Sequence, residues 1–205
     1  APAAPQALRG PRVASPERRA HPLTPPRRRP VAAGAEVRSA ASVAAVPVRS
    51  SSFVSMLVDA RAVRHHGLPV ADYFIWNDDF EYSARLLRSG TGLHVPRSVV
   101  EHRTKTFGAT DADPGPRFYY EVRNKIWMLT RSSSLSPSER VLYAGASARR
   151  WLRTAARSQD RRTLLAAGVK GLRDGVFRRP RPNSRVLAGL GPVSASVERL
   201  ERSTA

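Results

Sequence analysis

The stretch Tyr73-Phe74-Ile75-Trp76-Asn77-Asp78-Asp79-Phe80-Glu81-Tyr82-Ser83-Ala84-Arg85 decides how this chain is read. Tyr73 to Trp76 is a short apolar run that predicts a strand, and the acids after it open a helix expected to reach about Arg88. A strand that delivers carboxylates at its end sets them at the rim of a sheet, where α/β proteins bind ligands. Helix punctuation accounts for two of the acids, Asp78 as N-cap and Glu81 at the third position of a capping box. Glu81 also stands four residues before Arg85, a spacing that ordinarily gives a weak surface ion pair. Asp79 has neither duty. The helix dipole favours the ionised form of a first-turn carboxylate, so Asp79 is the candidate for chemistry.

Upstream, Asp59 to His66 predicts a short helix stopped by Gly67, with Pro69 beyond. Adjacent His65 and His66 point in different directions on a helix, which favours surface histidines over a joint metal site. Val43 to Arg49 and Ser52 to Val58 are two strand-like stretches broken at Ser50-Ser51. Downstream, Ser89 to Gly92 is a turn, and Leu93 to His102 is a strand interrupted at Pro96, which implies an edge or a bulge. Thr104 to Pro116 is a loop long enough to cover a site.

Arg117 to Arg131 then predicts a helix with Phe118, Val122, Ile126 and Leu129 on one apolar stripe. Its other faces carry Arg123, Asn124, Lys125 and Trp127. A cationic outer surface is one account of these; the sharper one turns Arg123 and Asn124 toward a site and Lys125 and Trp127 toward lipid headgroups. Ser136-Pro137-x-Glu139 opens a helix running to about Arg157, with Leu142, Ala146, Trp151 and Leu152 expected inward. Arg161 to Phe177 is a third helix, weakened at Gly168 and Gly171, and residues 179–205 read as a basic tail.

Residues 1–42 hold eight prolines among arginines, a density that predicts extended coil rather than helix or ladder. At 205 residues and 41% hydrophobic content the chain can bury a core, though not from every segment. The absence of cysteine excludes disulfides and thiolate metal sites. No apolar run approaches the roughly 18 residues that would span a bilayer. The net charge of +19 is uneven: residues 1–50 carry nine Arg against two Glu, 51–108 seven cations against six acids, and 109–205 nineteen against eight. Nearly all the cations are Arg, with Lys only at 105, 125 and 170. A nucleic-acid role is disfavoured, because no helix-turn-helix, zinc-finger or RRM-like signature accompanies the charge.

Gly67-Leu68-Pro69, Phe74-Ile75-Trp76, Asp78-Asp79-x-Glu81-Tyr82, Arg85, Gly90, Val95-Pro96, His102 and the later Tyr119-Tyr120-x-x-Arg123-Asn124 together resemble the second half of a family 2 glycosyltransferase. The likeness is to actinobacterial galactofuranosyl- and rhamnosyltransferase-like members. It spans about Pro11 to Arg179. It implies an α/β fold, a partial GT-A-like sheet with a helical C-terminal extension. On that division, residues 1–42 are a Pro/Arg-rich extended segment, 43–108 the acceptor-side half of the catalytic domain, 109–178 the helical extension and 179–205 the tail.

The resemblance gives Asp79 the role of base toward the acceptor hydroxyl and makes His102 a ligand of a divalent metal, Mn²⁺ or Mg²⁺. Trp76, Asp78, Glu81, Arg123 and Asn124 become candidate substrate-binding residues, and Arg27, Arg28 and Arg29 candidates for a diphosphate. The implied activity is inverting transfer from a nucleotide-sugar donor to a glycan or polyprenyl-linked acceptor, in the cytoplasm or peripherally at the inner face of the plasma membrane. The family's nucleotide-binding half and its Asp-x-Asp element are not found ahead of the acid helix; Asp111-x-Asp113 comes after it. The chain is therefore expected to be a truncated transferase. The alternatives are a non-enzymatic basic protein that binds nucleic acid, and an inactive remnant.

Overall fold

The computed structural model describes residues 5–14, 27–29, 32–103 and 113–204. It is a mixed α/β arrangement built on a five-stranded sheet in the order β2-β3-β5-β1-β4. The strands are β1 (Gln6–Ala14), β2 (Arg27–Arg28), β3 (Val46–Ser50), β4 (Leu57–Val58) and β5 (Thr91–Glu101). β1 and β5 run parallel at the centre, and the remaining pairs are antiparallel. Their register shifts between Pro11/Val95 and Arg12/Val99, so Pro96 sits in a bulge of a central strand, one of the two positions expected for it.

β1 corrects the expectation of coil. Ala7, Leu8, Val13 and Ala14 are buried, while Arg9 and Arg12 face solvent. Tertiary pairing supplies the backbone partners that local propensity does not. Within residues 1–42 the helix α1 (Gly34–Ser42) was also unforeseen, whereas residues 15–26 lie outside the described part of the chain. The covering loop expected at Thr104 to Pro116 falls mostly outside it as well.

Helix α2 (Ala60–His66) forms as expected, capped by the Asp59 side chain and stopped by Gly67 at φ 75°. The acid helix, α3 (Asp78–Leu86), lies between two apolar layers. Tyr82, Leu86 and the following Leu87 pack with Ala7, Leu8 and Val48 of the sheet. Phe80 and Ala84, on the other side, pack with Met128 and Leu135 of the helical extension. Fully burying a leucine contributes roughly 1.5–3 kcal/mol, so α3 ties the sheet to the helices through both faces.

The extension consists of α4 (Phe118–Thr130), α5 (Pro137–Arg157) and α6 (Arg161–Phe177). Phe118, Val122 and Ile126 of the α4 stripe pack against Leu164 as their spacing predicts, whereas Leu129, the fourth member, packs with Phe80 and Met128. α5 starts with Ser136 as N-cap and Pro137 in the first turn, as expected, and Glu139 completes a capping box. Of the residues expected on its inner face, Trp151 turns inward, whereas Leu142, Ala146 and Leu152 are exposed and Tyr143 and Ser147 take the inner positions. Residues 179–205 are more than a tail. α7 (Asn183–Val186) and α8 (Pro192–Thr204) dock back on the core: Asn183 accepts from the Ala71 amide at 2.7 Å and donates to the Pro69 carbonyl at 2.8 Å. No described helix is long and apolar enough to cross a membrane.

Candidate functional site at the start of the acid helix

Residues 73–76 do not form the expected strand. Ala71–Tyr73 is a short 3-10 turn, and Phe74, Trp76 and Asn77 all have positive φ, at 64°, 63° and 62°. Two aromatics in the left-handed region cost on the order of 1 kcal/mol or more each, so neighbours must hold the loop in place. Asn124 and Arg123 of α4 do this. The fully buried Asn124 amide donates to the carbonyls of Tyr73, Ile75 and Trp76 at 2.9, 2.8 and 2.8 Å. Arg123 donates to the carbonyls of Asp72 and Tyr73 at 2.7 and 3.3 Å, and its guanidinium lies over Trp127 at 4.2 Å. Both side chains act on any ligand through the loop they hold.

The capping box at Asp78 and Glu81 is absent. Asn77 is the N-cap, in the left-handed conformation that asparagine tolerates, and its side chain is drawn away to Glu121 at 2.8 Å. Glu81 is nearly fully buried. It pairs with Arg85 at 2.8 Å and accepts from Ser132 at 2.6 Å. Arg85 goes on to the carbonyls of His66 and Leu68. The pair expected to be a weak surface contact is thus an internal tie between α2, α3 and the loop after α4.

Asp78 and Asp79 are left at the helix start, both half-buried. One Asp79 oxygen accepts from the Phe80 amide at 2.7 Å. Burial, and then the charge of Asp79, push the Asp78 carboxyl above its ordinary range. Two cations approach the same spot. The Arg27 guanidinium lies 4.2 Å from the Phe80 ring centroid and the Lys125 ammonium 4.8 Å from it. Lys125 is only 4% exposed, which overturns its placement at lipid headgroups; Trp127, at 2%, is interior too, with its indole donating to the Arg178 carbonyl. α4 is roofed by α5 and α6, and this leaves it no free cationic side.

Burial pulls the Lys125 ammonium down to about 8. Arg27 and Arg150 push in the same direction, while Glu121 and Asp79 oppose it. Glu121, also buried, receives Asn77 and the Trp151 indole. Arg27 and Arg28 are both exposed and Arg29 is paired with Glu36 at 3.1 Å; of the three, Arg27 has its guanidinium against Phe80 of the acid helix. His102 follows β5, with its amide bonded to the Ala14 carbonyl. Among the described residues no three His, Asp or Glu side chains gather as a metal site.

Lys125 and Glu121 are the residues that motif reasoning missed. The available signal was composition: in a chain that otherwise uses arginine, a lysine stands mid-helix four residues after a glutamate. Comparison with protein-family models, with curated proteins and with solved structures finds no match.

Proposed function

We propose that the start of α3 is the acceptor side of a glycosyltransferase site in a partial GT-A-like fold, with Asp79 as the base. The observation behind this is that two cations, Arg27 and Lys125, sit on the buried Phe80 ring, next in the chain to the carboxylates Asp78 and Asp79, with Asp79 near enough to act on the Lys125 charge. Sugar transfer needs both signs of charge close together. As the acceptor oxygen bonds to the anomeric carbon, its proton passes to Asp79 and the bond to the donor diphosphate breaks. The negative charge that then develops on the diphosphate is met by Arg27, with Arg28 beside it and Lys125 behind. Asp78 and Trp76 line the approach of the acceptor sugar, while Glu81, Arg123 and Asn124 hold the loop and helix that present them. A divalent cation, Mn²⁺ or Mg²⁺, would supply further charge stabilisation to the diphosphate, with His102 as its proposed protein ligand. The acceptor class is a lipid-linked or cell-wall glycan, handled at the cytoplasmic face of a membrane.

The test is transfer of galactofuranose or rhamnose from a nucleotide donor to a lipid-linked glycan, comparing wild type with Asp79→Asn at matched folded fraction. Loss of about 10²–10⁴-fold is expected for removal of a general base. Equal turnover by the two proteins would overturn the assignment of Asp79.

A further inference from the structure

Helix α6 turns its small residues in and its large apolar residues out. Its buried positions are Leu164, Gly171, Asp174 and Gly175. A Cβ on Gly171 would stand 2.6 Å from the Tyr119 carbonyl oxygen, and one on Gly175 2.9 Å from the Ile126 Cβ. Only hydrogen fits there, so α6 and α4 meet along a glycine seam. Leu165, Val169, Leu172 and Val176 therefore point outward at i, i+4, i+7 and i+11, each about half exposed or more, and Phe177 after them is 81% exposed. In a water-soluble helix such a stripe is the part that is normally covered.

The rest of the exposed face is basic. Arg161, Arg162, Lys170 and Arg173 flank the stripe, and Arg178 and Arg179 continue it. The single acid of α6, Asp174, is buried and accepts from the Tyr119 hydroxyl at 2.9 Å.

We propose that this face of α6 is a docking surface for an anionic lipid bilayer, with the apolar stripe at the acyl boundary and the arginines at headgroup phosphates. Charge complementarity selects this occupant. A second copy laid face to face would bring the same cations against each other, and a nucleic acid would leave four aliphatic side chains without a partner. Interfacial helices combine the two features found here, a continuous apolar stripe and Lys/Arg at its margins. Docking at α6 requires no chemistry at Asp79. Lipid contact then falls on α6 and not on Lys125 and Trp127, which are interior.

The test is co-sedimentation of the full chain with vesicles of phosphatidylcholine and phosphatidylglycerol at physiological ionic strength. Because the net charge of +19 alone attracts anionic vesicles, the decisive variant keeps that charge. Leu172→Ser with Phe177→Ser, both at exposed positions, is expected to lower partitioning by about ten-fold or more. Arg162→Gln with Arg173→Gln should lower it several-fold and erase the preference over pure phosphatidylcholine. The proposal is overturned if wild type does not bind, or if the serine pair binds as wild type does. It is equally overturned if the chain is a dimer that the serine pair makes monomeric, or if the arginine pair weakens duplex DNA binding while leaving vesicle binding intact.

Discussion

Two sets of internal charges divide the molecule. In one, every carboxylate meets a guanidinium. Arg49, buried at the end of β3, gives its Nε to Glu139 at 2.6 Å and its other nitrogens to Glu139 and to the carbonyls of Ala84 and Ser134. Burial alone would raise the Glu139 carboxyl, but Arg49 and the Ser136 amide outweigh it and hold it at about 2. Asp72 is likewise held low by Arg181, against the pull of burial. In the other set, at the start of α3, Asp78 stands beside Asp79, and Lys125 lies among Arg27 and Arg150 as well as Glu121 and Asp79, without a direct ion pair among the described residues. The Asp78 carboxyl is raised, and the Lys125 ammonium is lowered to about 8. The first arrangement serves folding and the second works against it. Groups kept at a cost to stability mark the place where function is to be sought.

Breaking the paired set should have the largest effect. Arg49→Ala strands a carboxylate and two carbonyls, and is expected to cost about 3–5 kcal/mol in urea unfolding. The same pair sets an acid limit: its contribution is present above the ordinary carboxylate range near 4.5 and fades as the pH falls toward 2. Stability measured from pH 5 down to pH 2 should therefore fall less steeply in the variant. Asn124→Ala removes the donor shared by three carbonyls of the strained loop, and about 2–3 kcal/mol should be lost. Any activity that depends on Asp79 should fall with it.

Relieving the unpaired set should stabilise. Lys125→Met is expected to add about 1–3 kcal/mol at neutral pH while lowering the proposed transfer activity. Between pH 8 and pH 10.5 the folded chain has released a lysine proton that the unfolded chain keeps, so wild-type stability rises across that window from this group. The Met variant should lack the rise. Asp78→Asn is the smallest effect, a gain of about a few tenths of a kcal/mol because the site is half open to solvent. Its sign follows from the raised carboxyl: the protonated form favours folding, and that benefit disappears as the pH climbs through the raised value. A stabilised protein that kept full activity in both variants would erase the distinction between the two sets.

What could be read from the chain beforehand was local. The caps of α2 and α5 and the stripe of α4 depend on residues within one or two turns, and all three formed as spaced. The loop 73–76 looked like a strand because its apolar run carries no sign of Asn124, which bends it from 48 to 51 positions away. α6 misled for a related reason: Gly168 and Gly171 read as weaknesses, although a glycine that opens space for another helix is a contact. At the candidate site, Asp79 was singled out by an elimination whose premise the structure removes, since Asp78 and Glu81 form no capping box. Lys125 was read as a surface cation, because its burial is set by residues distant in sequence, Phe80 and Arg27 among them, and leaves no mark on the residue itself.

β1 has one more consequence, and it concerns time. The Pro5 carbonyl accepts from both the amide and the hydroxyl of Thr91, 86 positions later, so the central pair of the sheet closes late. During synthesis β1 emerges long before β5 exists. Arg9, Pro11 and Arg12 then make it a poor template for stray pairing between chains. The residues that disguise it as coil also protect it until β5 is made.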